Sequence, residues 1–131
     1  MWDYKYMEEV TSSDNNNSKG FDPMTVRYSF YCGLDTNGHD VNAREIVNDL
    51  AAQFFPDGHS IREEKGRYLM RTTGEVINED TLVVTWLCMD SDKLVGVGHK
   101  KANGFAAAVK DMTYQESVLI ITEDVYAVFA W

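Results

Sequence analysis

The sequence predicts an α+β fold with the element order strand–helix–strand–strand–helix–strand. Two observations carry this prediction. Apolar residues alternate or cluster in four separate strand-like runs, and two intervening segments repeat apolar residues at helical spacing. Split βαβ units in this order close into a ferredoxin-like βαββαβ sandwich, an antiparallel sheet with two helices on one face. We expect an N-terminal extension at residues 1–24 and a single α+β domain at residues 25–131.

The first strand and the first helix have the clearest signals. The run TVRYSFYCGL at 25–34 alternates apolar and other residues, as a half-buried strand does. Asn42 precedes a helical repeat of apolar residues, and Glu45 lies three residues later, which indicates an N-cap and a capping box. The helix must end before Pro56, because proline disfavours helical backbone at the preceding residue.

The middle of the chain predicts two further strands. Residues 59–72, HSIREEKGRYLMRT, form a second strand that a bulge or turn interrupts near Gly66. The segment TGEVINED at 73–80 is expected to be a loop. The run TLVVTWLCM at 81–89 is apolar on both faces, so it should be the central strand.

The C-terminal third predicts a helix and a last strand. Helical spacing recurs over 94–112, although glycines weaken the start of this helix, which could instead be a loop. Residues 116–131 are either one long strand with a break or a hairpin around Glu123–Asp124.

One face of the predicted sheet would have no helices on it. An apolar face of that size is unusual on a monomer, so we expect a homodimer or a ligand to cover it. If the other face takes the helices, this face carries Tyr31, Val83, Thr85, Leu87 and Met89, although the two faces could be reversed.

Composition limits the class of partner and the compartment. The net charge of −9 argues against non-specific binding to nucleic acid and fits a basic protein partner or simple solubility. Cys32 and Cys88 alternate with apolar residues inside predicted strands, so we expect buried free thiols. The sequence contains neither a secretory signal nor an apolar run near the ~20 residues of a membrane span. These observations predict a soluble cytoplasmic protein, in the host cell cytoplasm if it is viral.

The N-terminal decamer MWDYKYMEEV is rich in large side chains. Trp2, Tyr4 and Tyr6 alternate with charged residues, and a polar linker separates them from the domain. The decamer could dock as an extra edge strand, contact a partner or ligand, or be a frayed terminus.

Three short motifs resemble those of the DUF3574 family of small uncharacterised bacterial proteins. They are VRYSFYCGL, FPDGHSI followed by GRY, and YQESVLII, so the resemblance covers about residues 25–122. Cys32 and the pair Arg67–Tyr68 depart from the family pattern, which has Phe and Gln-Trp there. The resemblance implies the same fold and no particular chemistry.

Few residues have the context that catalysis needs. His59 follows the turn Pro56-Asp57-Gly58, so it is expected to begin a strand, with Glu116 and Tyr28 as the other weak catalytic candidates. The histidines and cysteines lack metal-binding spacing, and the glycines near Lys100 match no phosphate-loop motif. The sequence therefore predicts no metal site and no cofactor.

The best candidate site lies where the last strand begins. Gln115 and Glu116 could line a pocket against Tyr28 or Tyr31, because the first and last strands are neighbours in this topology. The main hypothesis is a small acidic, non-enzymatic binding module with a protein partner, such as a phage or mobile-element inhibitor of a host protein. The alternative is a small dimeric α+β-barrel-type enzyme with a pocket between sheet and helices.

Overall fold

The structure, a computed structural model, describes residues 24–89, 97–127 and 130. Within these residues, four strands and two helices follow one another in the predicted order. They are β1 (Met24–Gly33), α1 (Ala43–Phe54), β2 (Ser60–Leu69), β3 (Val76–Cys88), α2 (Val97–Met112) and β4 (Leu119–Tyr126). The strands form one sheet in the order β2-β3-β1-β4, and each neighbouring pair is antiparallel. The predicted α+β fold is confirmed.

Both helices pack on the same face of the sheet. Alternate residues of β1 and β3 point towards them, and aromatic rings fill the space between the layers. The Phe30 ring meets the edge of Phe105 with centroids 4.8 Å apart, and Phe55 stacks on Trp86 at 4.6 Å. Gly104 allows the helices to approach closely, since a Cβ there would lie 3.2 Å from the Phe54 ring. Other members of this core are Val26, Tyr28, Cys32, Val47, Leu50, Leu82, Val84, Ala102 and Val109.

The start of α1 confirms the predicted cap. Asn42 has extended backbone, and its side-chain oxygen accepts a hydrogen bond from the backbone N–H of Glu45 at 3.1 Å. This bond satisfies one of the N–H groups that the first helical turn leaves without a partner. The helix ends at Phe54, two residues before Pro56.

Two predictions about the strands are wrong, and an alternative left open for the last strand is decided. β3 begins at Val76, so residues 76–80 belong to a strand and not to a loop, because they pair with β2. β2 has no bulge, since its register runs unbroken through Gly66 opposite Glu79. β4 is a single strand through Glu123 and Asp124, which pair with β1, so there is no hairpin at that position.

The cysteines behave as small apolar residues. Cys32 and Cys88 are buried thiols that form no disulfide within the described residues, as the sequence predicts. Burial raises the pKa of the Cys32 thiol to about 12, so the thiol stays protonated at neutral pH. Cys32 therefore lacks the thiolate character that a nucleophile requires.

The face of the sheet opposite the helices, called the second face below, carries the other residues of each strand. Tyr31 lies opposite Val83 on this face, and Ser29 lies opposite both Thr85 and Ile121. Leu87, Leu119 and Ile121 are exposed there. The position of Tyr31, Val83, Thr85 and Leu87 is therefore as predicted. Within the described residues, no helix is long and apolar enough to cross a membrane.

Candidate functional site

A cleft of about 370 Å³ lies at one end of the second face. Its floor consists of residues from β1 and from the β2–β3 hairpin. Its rim is formed by the loop from β1 to α1 and by the loop from α2 to β4. The lining residues are Tyr31, Gly33, Asp35, Asn37, Tyr68, Leu69, Met70, Arg71, Thr72, Ile77, Glu79, Thr81, Gln115, Glu116, Ser117 and Leu119.

Glu79 is the most desolvated carboxyl group of the cleft. Partial burial raises the pKa of Glu79 above the ordinary glutamate range, and the negative charge of Asp35 raises it further. The backbone N–H of Asp35 donates to Glu79 Oε2 at 3.1 Å, and this hydrogen bond lowers the pKa of Glu79. Perturbation of this kind in a cleft is typical of functional carboxyl groups.

Gly33 provides the space that the Glu79 carboxyl occupies. A Cβ atom at position 33 would lie 2.5 Å from Glu79 Oε1, closer than real Cβ contacts come. The glycine has no positive φ, so its role here is steric. The pairing of Gly33 with Thr81 places it at the end of β1, directly below the rim of the cleft.

Tyr68 occupies a similar space created by a second glycine. Its ring lies over Gly66 on the same strand, where a Cβ would lie 2.1 Å from the phenol oxygen. The Tyr68 hydroxyl is 3.2 Å from Thr81 Oγ1, a distance at which either group can donate. Tyr31 also lines the cleft, so two phenol rings and a desolvated carboxyl group share one cavity.

The two rim loops contact each other directly. The side-chain amide of Gln115 donates to the backbone carbonyl of Asp35, and that of Asn37 donates to the carbonyl of Tyr114. The rings of His39 and Tyr114 stack with their centroids 3.6 Å apart. These contacts fix the two rim loops relative to each other.

The structure brings some of the sequence-predicted site residues together and separates others. Gln115, Glu116 and Tyr31 line the same cleft. Tyr28 lies on the opposite face, buried among the core aromatics, where its pKa is raised mainly by burial. The His59 ring nitrogen Nδ1 is 3.0 Å from the carbonyl of Phe55, a contact that fits the predicted turn. Trp2, Tyr4 and Tyr6 lie outside the described residues.

Three residues of the cleft are not predicted as site residues from the sequence: Glu79, Tyr68 and Gly33. Glu79 falls in the segment 73–80 that the sequence predicts as a loop, so it has no predicted neighbour. Val76 and Ile77 are adjacent apolar residues followed by three polar ones, so residues 76–80 lack the alternation that indicates a strand. Gly66 is a useful signal, because a glycine within a strand indicates a bulge or a close approach, and here it is the close approach of Tyr68.

The chemistry of the cleft suits a ligand that carries positive charge. Asp35, Glu79 and Glu116 contribute carboxyl groups, Tyr31 and Tyr68 contribute aromatic rings, and Arg71 contributes a cation. Aromatic faces and carboxylates both attract cations. Within the described ranges, no group of three or more His, Cys, Asp or Glu side chains could hold a metal ion.

Comparison with solved structures identifies similar folds among phage enzymes. A phage SAM lyase in complex with S-methyl-5'-thioadenosine matches with a TM-score of 0.60 and 16% identity, over 76% of this chain and 81% of that chain. A phage SAM lyase in the apo state matches with a TM-score of 0.50 and 17% identity, over 82% of this chain and 94% of that chain. No family model matches the chain, and no curated protein matches it.

Proposed function

We propose that this protein is a small enzyme that binds S-adenosylmethionine in the cleft and breaks a carbon–sulfur bond, releasing S-methyl-5'-thioadenosine. The observation that carries the proposal is the combination of Glu79, Tyr31 and Tyr68 in one cleft, on a fold similar to that of phage SAM lyase. The cleft volume of about 370 Å³ lies within the usual range for small-molecule sites.

The charge of the substrate fits the groups that line the cleft. S-adenosylmethionine has a sulfonium cation, which the rings of Tyr31 and Tyr68 can attract through their π faces. The carboxylate of Glu79, and those of Asp35 and Glu116 nearer the rim, add negative potential in a partly desolvated site. The protein as a whole has a net charge of −9, which favours the approach of a cationic ligand.

The bond that breaks follows from the product. S-methyl-5'-thioadenosine keeps the methyl group and the ribose, so the bond lost is that from sulfur to the γ-carbon of the amino acid chain. Sulfur takes the electron pair and becomes a neutral thioether. The substrate's own carboxylate oxygen attacks the γ-carbon and closes a lactone, so the reaction needs neither water nor an external base.

In this reaction the protein mainly orients the substrate and stabilises charge. An intramolecular attack gains its rate from a held conformation in which the reacting atoms are aligned. Arg71 lines the same cleft and is a group that can bind a carboxylate, whereas Glu79 can bind the sulfonium or the α-ammonium group. These opposite charges give the cleft the polarity needed to orient a zwitterionic chain.

The comparison supports this proposal over the non-enzymatic binding module. Both solved neighbours are phage enzymes, which agrees with the phage part of the sequence-based hypothesis and favours its enzyme alternative. A protein partner, cytoplasmic localisation and the DUF3574 resemblance stay predictions.

The test is incubation of the purified chain with S-adenosylmethionine and chromatographic measurement of S-methyl-5'-thioadenosine. We expect product formation above the spontaneous rate. Glu79→Gln should lower turnover by about 10²-fold or more, as the loss of one preorganised electrostatic group typically does. Glu75→Gln is the matched control, because Glu75 is exposed in the β2–β3 turn and does not line the cleft.

The outcomes separate the enzyme from a binder. Product formation that depends on Glu79 supports the proposal. Calorimetric binding of S-adenosylmethionine without turnover would contradict catalysis and favour the non-enzymatic binding module. Absence of both binding and turnover would contradict the assignment of the cleft to this ligand.

A further inference from the structure

The contacts between the two rim loops form a unit, and of its residues only Asp35 has a role in the proposed chemistry. We call this unit the clasp, and it consists of Asp35, Asn37, His39, Tyr114 and Gln115. Two side-chain amides bond across it in opposite directions: Gln115 donates to the carbonyl of Asp35, and Asn37 donates to the carbonyl of Tyr114. The rings of His39 and Tyr114 stack with their planes 3° apart.

The carbonyl, the side-chain carboxylate and the backbone N–H of Asp35 each make a hydrogen bond. The Asp35 carbonyl accepts from Gln115, and its side-chain Oδ1 accepts from the backbone N–H of Asn37 at 2.9 Å. The Asp35 backbone N–H donates to Glu79 Oε2 at 3.1 Å. A residue with all of these groups engaged cannot rotate its amide away from Glu79 without breaking other bonds.

Backbone conformation gives independent evidence that the clasp is under constraint. Asn37 has a φ of 54° and Tyr114 a φ of 58°, both in the left-handed region. An aromatic residue in that region is uncommon, and such conformations persist where surrounding contacts over-determine them. The two residues face each other across the clasp and are joined by one of its hydrogen bonds.

We propose that Gln115 is a positioning residue that, through Asp35, holds the amide hydrogen bond on Glu79 and so fixes the orientation of that carboxyl group in the cleft. Its catalytic consequence rests on the proposed function, whereas its structural part stands on these contacts alone. Gln115 itself need not touch the substrate.

The surroundings of Glu79 determine what loss of the clasp would do. The Asp35 N–H bond stabilises the carboxylate form and lowers the pKa of Glu79, while burial and the charge of Asp35 raise it. The other charged or titratable groups of the cleft are Glu116 on its rim, and Arg71 and the phenols of Tyr31 and Tyr68 on its floor. Freeing Asp35 removes the stabilising bond, whereas burial, the largest cause of the raised pKa, stays in place, so the pKa of Glu79 should rise.

The experiment is a carbon-detected NMR titration of the Glu79 carboxyl in the full chain, with its signal assigned by Glu79→Gln. We expect Gln115→Ala to move the titration midpoint of Glu79 upward and to shift the Asp35 amide resonance. Gln53→Ala is the matched control, because Gln53 is exposed on α1, and it should change neither signal. Asn37→Gly, which keeps the left-handed backbone but removes the side chain, is a second variant that should act in the same direction as Gln115→Ala.

Activity measurements on the same variants separate this inference from the proposed function. For an active wild type, Gln115→Ala should shift the acidic limb of the pH profile of kcat/KM by the same amount as the NMR midpoint. NMR shifts in a chain that never cleaves S-adenosylmethionine would uphold the clasp and overturn the proposed enzyme. An unchanged Glu79 midpoint and Asp35 amide in folded Gln115→Ala and Asn37→Gly would overturn the inference.

Discussion

At the scale of single residues, the properties of Glu79 come from two neighbours in the loop and strand that precede α1. Gly33 leaves the volume that the carboxyl group fills, and the Asp35 amide supplies the hydrogen bond that it accepts. Burial works against that bond by raising the pKa of Glu79. The ionised carboxylate in the cleft therefore lowers the stability of the folded state.

This destabilisation predicts a pH-dependent gain in stability for Glu79→Gln. A raised pKa means that folded Glu79 binds its proton more tightly than unfolded Glu79 does. The wild-type chain therefore loses stability as pH rises from the ordinary glutamate pKa of about 4.3 through the raised folded value. Glutamine is neutral throughout, so Glu79→Gln should melt higher than wild type at about pH 8, with the difference shrinking towards about pH 4.

Thermal melting followed by circular dichroism at the two pH values checks this prediction. The exposed Glu75→Gln should show no such pH-dependent gap. A gap of the opposite sign at high pH would mean that the Asp35 amide bond outweighs the cost of burial.

At the scale of elements, the fold is more accessible from the sequence than the cleft is. The start of α1 is predictable because Asn42, Glu45 and Pro56 are local signals, and α1 begins and ends where those signals indicate. Tyr31 and Gln115 are predictable as neighbours because the topology places β1 beside β4. These predictions depend on chemistry within a few residues or on strand order alone.

The rest of the cleft depends on pairing that the sequence does not display. Residues 76–80 are polar enough to be predicted as a loop, yet they become strand because β2 supplies hydrogen-bond partners along their whole length. That extension carries Glu79 to the side of Gly33. The side-chain bond from Gln115 to Asp35 likewise joins loops 80 residues apart, a distance over which no local pattern operates.

The close approach of β1 and β3 predicts that Gly33→Ala damages the cleft more than the fold. The new Cβ would lie 2.5 Å from Glu79 Oε1, and the flexible side chain of Glu79 can swing away at little cost in stability. Swinging away breaks the bond from Asp35, so turnover of S-adenosylmethionine should fall towards the level of Glu79→Gln.

A double-mutant cycle checks the cause of this effect. In the Glu79→Ala background there is no carboxyl group to displace, so adding Gly33→Ala should change neither melting temperature nor residual activity further. A Gly33→Ala variant with full activity would mean that the cleft accommodates the methyl group without moving Glu79.

At the scale of the whole molecule, the two faces of the sheet have different roles. The face that carries the helices buries the large aromatic side chains and stabilises the fold. The second face carries the cleft at one end, and elsewhere it exposes Leu87 and Ile121. The homodimer that the sequence predicts through this face stays a prediction.

Exposed apolar side chains on the second face predict self-association through it. Ile121 is 39% exposed and lies on the edge strand β4, opposite Ser29 of β1. Burying apolar surface contributes about 25 cal/mol per Å², and a glutamate at this position would have to bury a charge instead. We therefore expect light scattering to give a mass above that of one chain for wild type and a shift towards the single-chain mass for Ile121→Glu.

Gln53→Glu adds the same charge on the exposed side of α1 and should leave the mass unchanged, so a loss of association in both variants would point to general charge repulsion. A wild-type mass of one chain at tens of micromolar would contradict the prediction outright, and the cleft would then have to work within a single subunit.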